Sequence, residues 1–183
     1  MAYSDDKQQY KVVMPDWFEG KPCPLEWYPP DTEQKQAGLG AFFSTWPPTR
    51  IVKSLPGFME KVNEQFPDTE WAIVGYCWGG KVVSLMAADD SLFKVGASCH
   101  PAMINHKDAS AIKIPFIMLP SQDEDADAVA KFEAALTVPH HVETFADQIH
   151  GWMAARGNLE DERVRAEYVR GYKLIVKFFG ENF

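Results

Sequence analysis

Residues 71–83 read Trp71-Ala72-Ile73-Val74-Gly75-Tyr76-Cys77-Trp78-Gly79-Gly80-Lys81-Val82-Val83. A short apolar, β-branched run leads into a glycine-flanked reactive residue, and the chain continues in a pattern suited to a buried helix. The order is strand, sharp turn, helix. Gly-x-Cys-x-Gly-Gly is the cysteine form of the Gly-x-Ser-x-Gly elbow, in which the nucleophile occupies a strained backbone conformation and its neighbours must be small. Gly75 and Gly79 are expected to supply that room. The thiol would project at the positive end of the helix, where a thiolate is favoured over a thiol, so Cys77 is the candidate nucleophile. The stretch lacks Gly-x-Gly-x-x-Gly spacing, and Gly80-Lys81 is not followed by the Ser/Thr of a phosphate loop, which argues against nucleotide binding.

With 183 residues and 46% hydrophobic content, the chain suits one domain, 1–183, with a substantial core. A formal charge of −8 without basic runs argues against nucleic acid and anionic membranes, and points to a small-molecule partner. No stretch approaches the roughly 20 apolar residues of a membrane helix, and the first residues lack a signal-peptide core, so a cytoplasmic location is expected. Cys23, Cys77 and Cys99 have no paired spacing and read as free thiols. A homodimer is left open.

Along the chain, residues 10–14 read as a strand closed by Pro15-Asp16. Residues 17–30, rich in Trp and Pro, read as a long loop of the kind that is often functional. Asp31 or Thr32 can cap a helix over 33–45, and apolar spacing predicts a second over 49–66, bent at Pro56-Gly57. The elbow helix runs to about Ala88. Apolar runs at 93–99 and 114–119 suit buried parallel strands, 125–136 a helix, 141–145 a strand, and 160–179 an amphipathic closing helix. The alternation predicts an α/β fold with a mainly parallel sheet flanked by helices.

In such a sheet the chemistry collects at the carboxyl ends of the strands, so a base and its orienting acid are sought at strand ends after Cys77. His150, in Asp147-Gln148-Ile149-His150-Gly151-Trp152, follows the 141–145 strand. Asp123 follows the 114–119 strand and is favoured over Glu124 and Asp125, which crowd the same loop and could merely cap a helix. The order nucleophile, acid, histidine is that of the α/β-hydrolases. His150 would accept the thiol proton and Asp123 would hold the imidazole. Trp78 contributes the backbone N–H that follows the nucleophile. His100 lies at a strand end beside the elbow, where it can line the pocket, although a buried, hydrogen-bonded histidine is the plainer reading. His140 and His141 face opposite ways on a strand, and neither HExxH nor Cys-x-x-Cys occurs, so no metal is expected.

With Gly75-Tyr76-Cys77-Trp78-Gly79-Gly80, His150-Gly151-Trp152 and Pro15-Asp16-Trp17-Phe18-Glu19-Gly20 in order, the chain resembles the dienelactone hydrolase family of α/β-hydrolases, especially its fungal branch, from about Tyr10 to the C-terminus. The resemblance implies a Cys77, His150, Asp123 triad that hydrolyses enol-lactones such as dienelactone to a keto acid without a cofactor. It also implies an arginine for the substrate carboxylate, for which Arg156 is the candidate. The thiol suits enol-lactones, thioesters and other activated esters, whose leaving groups compete with a thiolate. A different class of function is a weakly active or inactive hydrolase scaffold that binds ligands or partners. Members of the family place further strands before the Pro-Asp-x-Phe-x-Gly segment, and only nine residues precede the 10–14 strand here. The expectation is an N-terminally shortened sheet, in which the flanking strands close up directly, a partner chain fills the gap, or the start codon has been placed too late. A genuine compact variant is the alternative.

Overall fold

The structure is a computed structural model that describes residues 10–88 and 90–183. Four parallel strands, β1 (Ala72–Tyr76), β2 (Val95–Cys99), β3 (Phe116–Leu119) and β4 (His140–Val142), lie in sequential order, with Ser98 beside Gly75 and Met118 in the sheet. Period-two alternation sorts the side chains of the central strands into two layers. Val95, Ala97, Cys99, Ile117 and Leu119 bury against Ile175, Phe178 and Phe179 of α6 (Glu162–Asn182). Phe116 and Met118 point the other way, into a cluster with Val83, Ile112 and Phe132. That cluster draws on α3 (Trp78–Met86), on α5 (Ala126–Ala135) and on the residue capping α4 (His106–Ala111). Both faces of β2 and β3 are thereby covered, which is why they read as unbroken apolar runs.

Polar side chains cap the starts of several helices. Thr32 accepts a hydrogen bond from the Lys35 N–H at the start of α1 (Glu33–Thr45), Asp125 caps α5, and Asp161 accepts from Arg163 and Val164 at the start of α6. The second helix, α2 (Pro48–Gln65), runs through Pro56 as one element, and its buried Leu55, Met59 and Val62 pack with Phe93. The short α4 carries too little periodicity to announce itself; Asn105 caps it, and Asp108 pairs with Lys81 of α3.

Residues 10–14 depart from the expectation of a strand. They form no regular element, Val12 and Met14 are 74% and 90% exposed, and only Tyr10 packs inward, against Phe179 and Phe183. An apolar run becomes a strand only where a neighbour takes up its backbone groups, and among the described residues no strand lies on the outer side of β1, where mid-strand Val74 is 38% exposed. The flanking strands therefore do not close up. Residues 1–9, on which the expected shortening turned, lie outside the described residues.

Candidate active site

Cys77 sits between β1 and α3 with φ +52° and ψ −117°, a backbone region costing about 1–3 kcal/mol for a residue with a side chain. Its own backbone hydrogen bonds hold the turn: its N–H donates to the Cys99 carbonyl at 3.1 Å, and its carbonyl accepts from Gly80 and Ala102 at 3.0 Å each. Gly75 is needed as expected, since a Cβ there would lie 2.1 Å from the Gly79 carbonyl oxygen. The second close approach belongs to Gly80 and not to Gly79. A Cβ on Gly80 would meet Ser98 Oγ at 2.4 Å and Pro101 at 3.1 Å, whereas one on Gly79 meets nothing within 4 Å. Gly75→Ala and Gly80→Ala should each destabilise by about 1–3 kcal/mol or more, while Gly79→Ala should be neutral or stabilising by up to ~1 kcal/mol through helix propensity. Urea midpoints of the three variants check the ranking.

The loop after β3 and the segment after β4 are aligned by a parallel bridge between Ser121 and Phe145, which brings Asp123-Glu124 against His150. The carboxylate at the ring is not that of the expected Asp123. Glu124 Oε1 lies 2.6 Å from His150 Nδ1, and the Glu124 side chain is 5% exposed. Its other oxygen accepts the Ser121 N–H. Asp123 instead accepts the backbone N–H of His150 at 2.8 Å, and Asp125 is spent on the Ala128 N–H at the start of α5. Adjacent side chains of one tight loop diverge, so only one carboxylate can reach the ring while its neighbour reaches the backbone. Arg156 donates from Nη1 to the His150 carbonyl at 2.8 Å, and its aliphatic stem packs on Gly151, whose φ of +93° turns the chain. That arginine braces the histidine loop.

Burial by itself would raise the Cys77 thiol, but the hydrogen bond and charge of His150, with the Trp78 N–H and the Tyr28 hydroxyl, outweigh it and hold the thiol below its ordinary range. His150 answers in kind. Burial would lower it, yet Cys77 and Glu124 raise it to about 9. Both shifts favour the thiolate–imidazolium form of the pair. Since a thiolate is the species that iodoacetamide alkylates, alkylation of Cys77 should reach half its limiting rate at a pH below the ordinary thiol range. Rates read by mass spectrometry across pH check this. In a hydrolysis run by this pair, the same shifts would place the acid limb at Cys77 ionisation and the alkaline limb near pH 9, where His150 loses its proton.

Around the pair stand residues of unequal legibility. The Trp78 N–H opens α3 beside the sulfur, while its indole is buried and donates to the Trp46 carbonyl at 2.9 Å. His100 is 1% exposed, its ring 5.1 Å from that of His150 and 5.9 Å from that of Tyr76. Contrary to the expected hydrogen-bonded histidine, neither ring nitrogen has a hydrogen-bond partner among the described residues. Burial lowers His100 to about 4, which keeps it neutral beside the charged pair. A cavity of about 320 Å³ borders His150, walled by Pro101, Ala102, Met103 and Ile104 on one side and the Asp123–Asp125 loop on the other. No lysine or arginine lines it. Tyr28 was not foreseen: its hydroxyl lies 3.9 Å from Cys77 Sγ, and its ring is parallel to that of His150 at 6.5 Å. Its one sequence signal was membership of the long aromatic loop.

A parallel sheet with a cysteine on a positive-φ elbow, and a histidine and carboxylate beyond later strands, is the arrangement of an α/β-hydrolase fold. The chain belongs to the dienelactone hydrolase family, whose model matches residues 6–183. It is 35% identical to an uncharacterized AIM2 family protein of Schizosaccharomyces pombe, over 93% of this chain and 71% of that one. Hydrolase pyvD of Aspergillus violaceofuscus is 29% identical over 94% of this chain and 69% of its own. The human carboxymethylenebutenolidase homolog is 24% identical over 79% of this chain and 59% of its own. Among solved structures, a Klebsiella pneumoniae protein assigned as a dienelactone hydrolase superposes with a TM-score of 0.63 at 16% identity, over 73% of this chain and 62% of that chain. No helix among the described residues is long and apolar enough to cross a membrane.

Proposed function

We propose that this chain is a cysteine hydrolase of activated carboxylic esters, with enol-lactones, thioesters and aryl esters as the substrate class and Cys77, His150 and Glu124 as the catalytic groups. The observation that carries the reading is the 2.6 Å contact between Glu124 and His150 Nδ1, which commits one ring nitrogen and leaves Nε2 for the thiol. The Cys77 thiolate attacks the carbonyl carbon, and the C=O π pair moves to oxygen, where the Trp78 N–H stabilises it. Collapse restores the carbonyl and expels the leaving group, which takes the proton from His150 Nε2 and leaves a thioester on Cys77. Water then attacks the thioester while His150 takes one of its protons, and the acid departs as the thiolate re-forms. The forward collapse favours leaving groups about as good as a thiolate, which enolates, thiolates and phenolates are.

The walls of the cavity refine the class. They carry three carboxylates against one imidazole, that of His150, and among the described residues no lysine or arginine, so uncharged esters fit better than a lactone that itself bears a carboxylate. Family membership supports hydrolysis as the reaction type. The test is turnover of a neutral aryl ester or enol-lactone, with the acyl-enzyme trapped by acid quench. An added acyl mass on the peptide containing Cys77 is expected, and turnover with no such adduct would sink the proposal.

A further inference from the structure

Resting on the hydrolase reading, we propose that Tyr28 is a further catalytic residue, its phenol O–H the side-chain donor that joins the Trp78 N–H in stabilising the oxyanion formed at Cys77.

Several independent observations place it. The hydroxyl is 3.9 Å from Cys77 Sγ, too long for a strong bond to sulfur in the resting site. In a tetrahedral adduct the oxyanion is bonded to the carbon that the sulfur attacks, so it stands next to Sγ, within reach of a donor at that distance. A phenol that bonds weakly to the resting thiolate and strongly to the developing oxyanion stabilises the transition state more than the ground state. Burial and the neighbouring Cys77 charge raise the Tyr28 phenol well above its ordinary range, so it remains a donor throughout the working pH range. The ring lies parallel to that of His150, 6° between planes with centroids 6.5 Å apart, so Tyr28 neighbours both groups of the pair.

The loop that carries Tyr28 is pinned rather than loose. Trp27 packs so closely on α1 that a Cβ at Gly38 would come within 2.8 Å of its ring. Lys35 Nζ donates to the Pro29 carbonyl at 3.3 Å, and Gln36 Nε2 to the Pro30 carbonyl at 3.1 Å. Helix α1 thus fixes the residues on either side of Tyr28, as preorganised oxyanion donors require.

The experiment compares Tyr28→Phe with the wild type in three assays. Ester turnover should lose ~10²-fold in kcat with KM little changed. Affinity for a simple aliphatic aldehyde, which adds reversibly to Cys77 as a hemithioacetal with an oxyanion, should fall by a similar factor. Alkylation by iodoacetamide is a displacement at carbon that forms no oxyanion; its limiting rate, read at a pH where Cys77 is fully thiolate, should change little and reports that the site is intact. Equal losses in all three assays would reduce Tyr28 to a structural part, and no loss in aldehyde affinity would likewise overturn the proposal. Should the wild type turn over no ester, the hydrolase reading falls, yet the aldehyde comparison still decides the role of Tyr28.

Discussion

Cys77→Ala is expected to lower kcat for activated esters by about 10⁴-fold or more, to a level set by the remaining binding and oxyanion groups. The size follows from what is removed. Without the sulfur there is no thioester route, and the pre-attack orientation conferred by the elbow is lost with it. The fold should survive, because the strained turn is held by backbone bonds to Cys99, Gly80 and Ala102 that alanine also makes. With the thiolate gone, His150 loses one of the two groups that raise it to about 9, and its pKa should move down. A steady-state assay of the purified variant, with an NMR titration of His150, checks both parts. Undiminished turnover would remove Cys77 from the reaction, and an unmoved His150 would separate the two groups.

Glu124→Gln should cost about 10³ to 10⁴-fold in kcat, in keeping with neutralising the carboxylate that orients a catalytic imidazole. The amide is close in shape but can present its N–H₂ to the ring, selecting the wrong tautomer, and it no longer stabilises the imidazolium. Removing the charge also takes away one of the groups that raise His150, so the alkaline limb should shift below pH 9. Asp123→Asn is the control. Its carbonyl oxygen can still accept the His150 backbone N–H that Asp123 holds at 2.8 Å, so its effect should be small, within about tenfold. A larger loss at Asp123 than at Glu124 would restore the acid favoured from chain order.

The parts of this protein legible without coordinates are those whose physics is local. The elbow follows from small residues flanking a reactive cysteine, the strands β2 and β3 from apolar runs buried on both faces, α1 from its polar cap, and α6 from apolar spacing within a few residues. Cys77 and His150 could be singled out because Cys77 directly follows β1 and His150 lies in the segment beyond β4 of a sheet whose direction the alternation of elements sets. Residues 10–14 mark one limit: their apolar character is real, but a strand is a property of a pair, and a single stretch cannot report its neighbour. Glu124 marks another. Which of three consecutive acids meets His150 depends on the rotation of one tight loop, set by the bridge of Ser121 to Phe145 and by the N–H groups of Ser121 and Ala128 that claim the other oxygens. Tyr28 stands 49 residues from Cys77, with no spacing rule to connect them. Only the packing of its loop on α1 brings the phenol to the sulfur, because distances between remote segments are decided by the folded core as a whole.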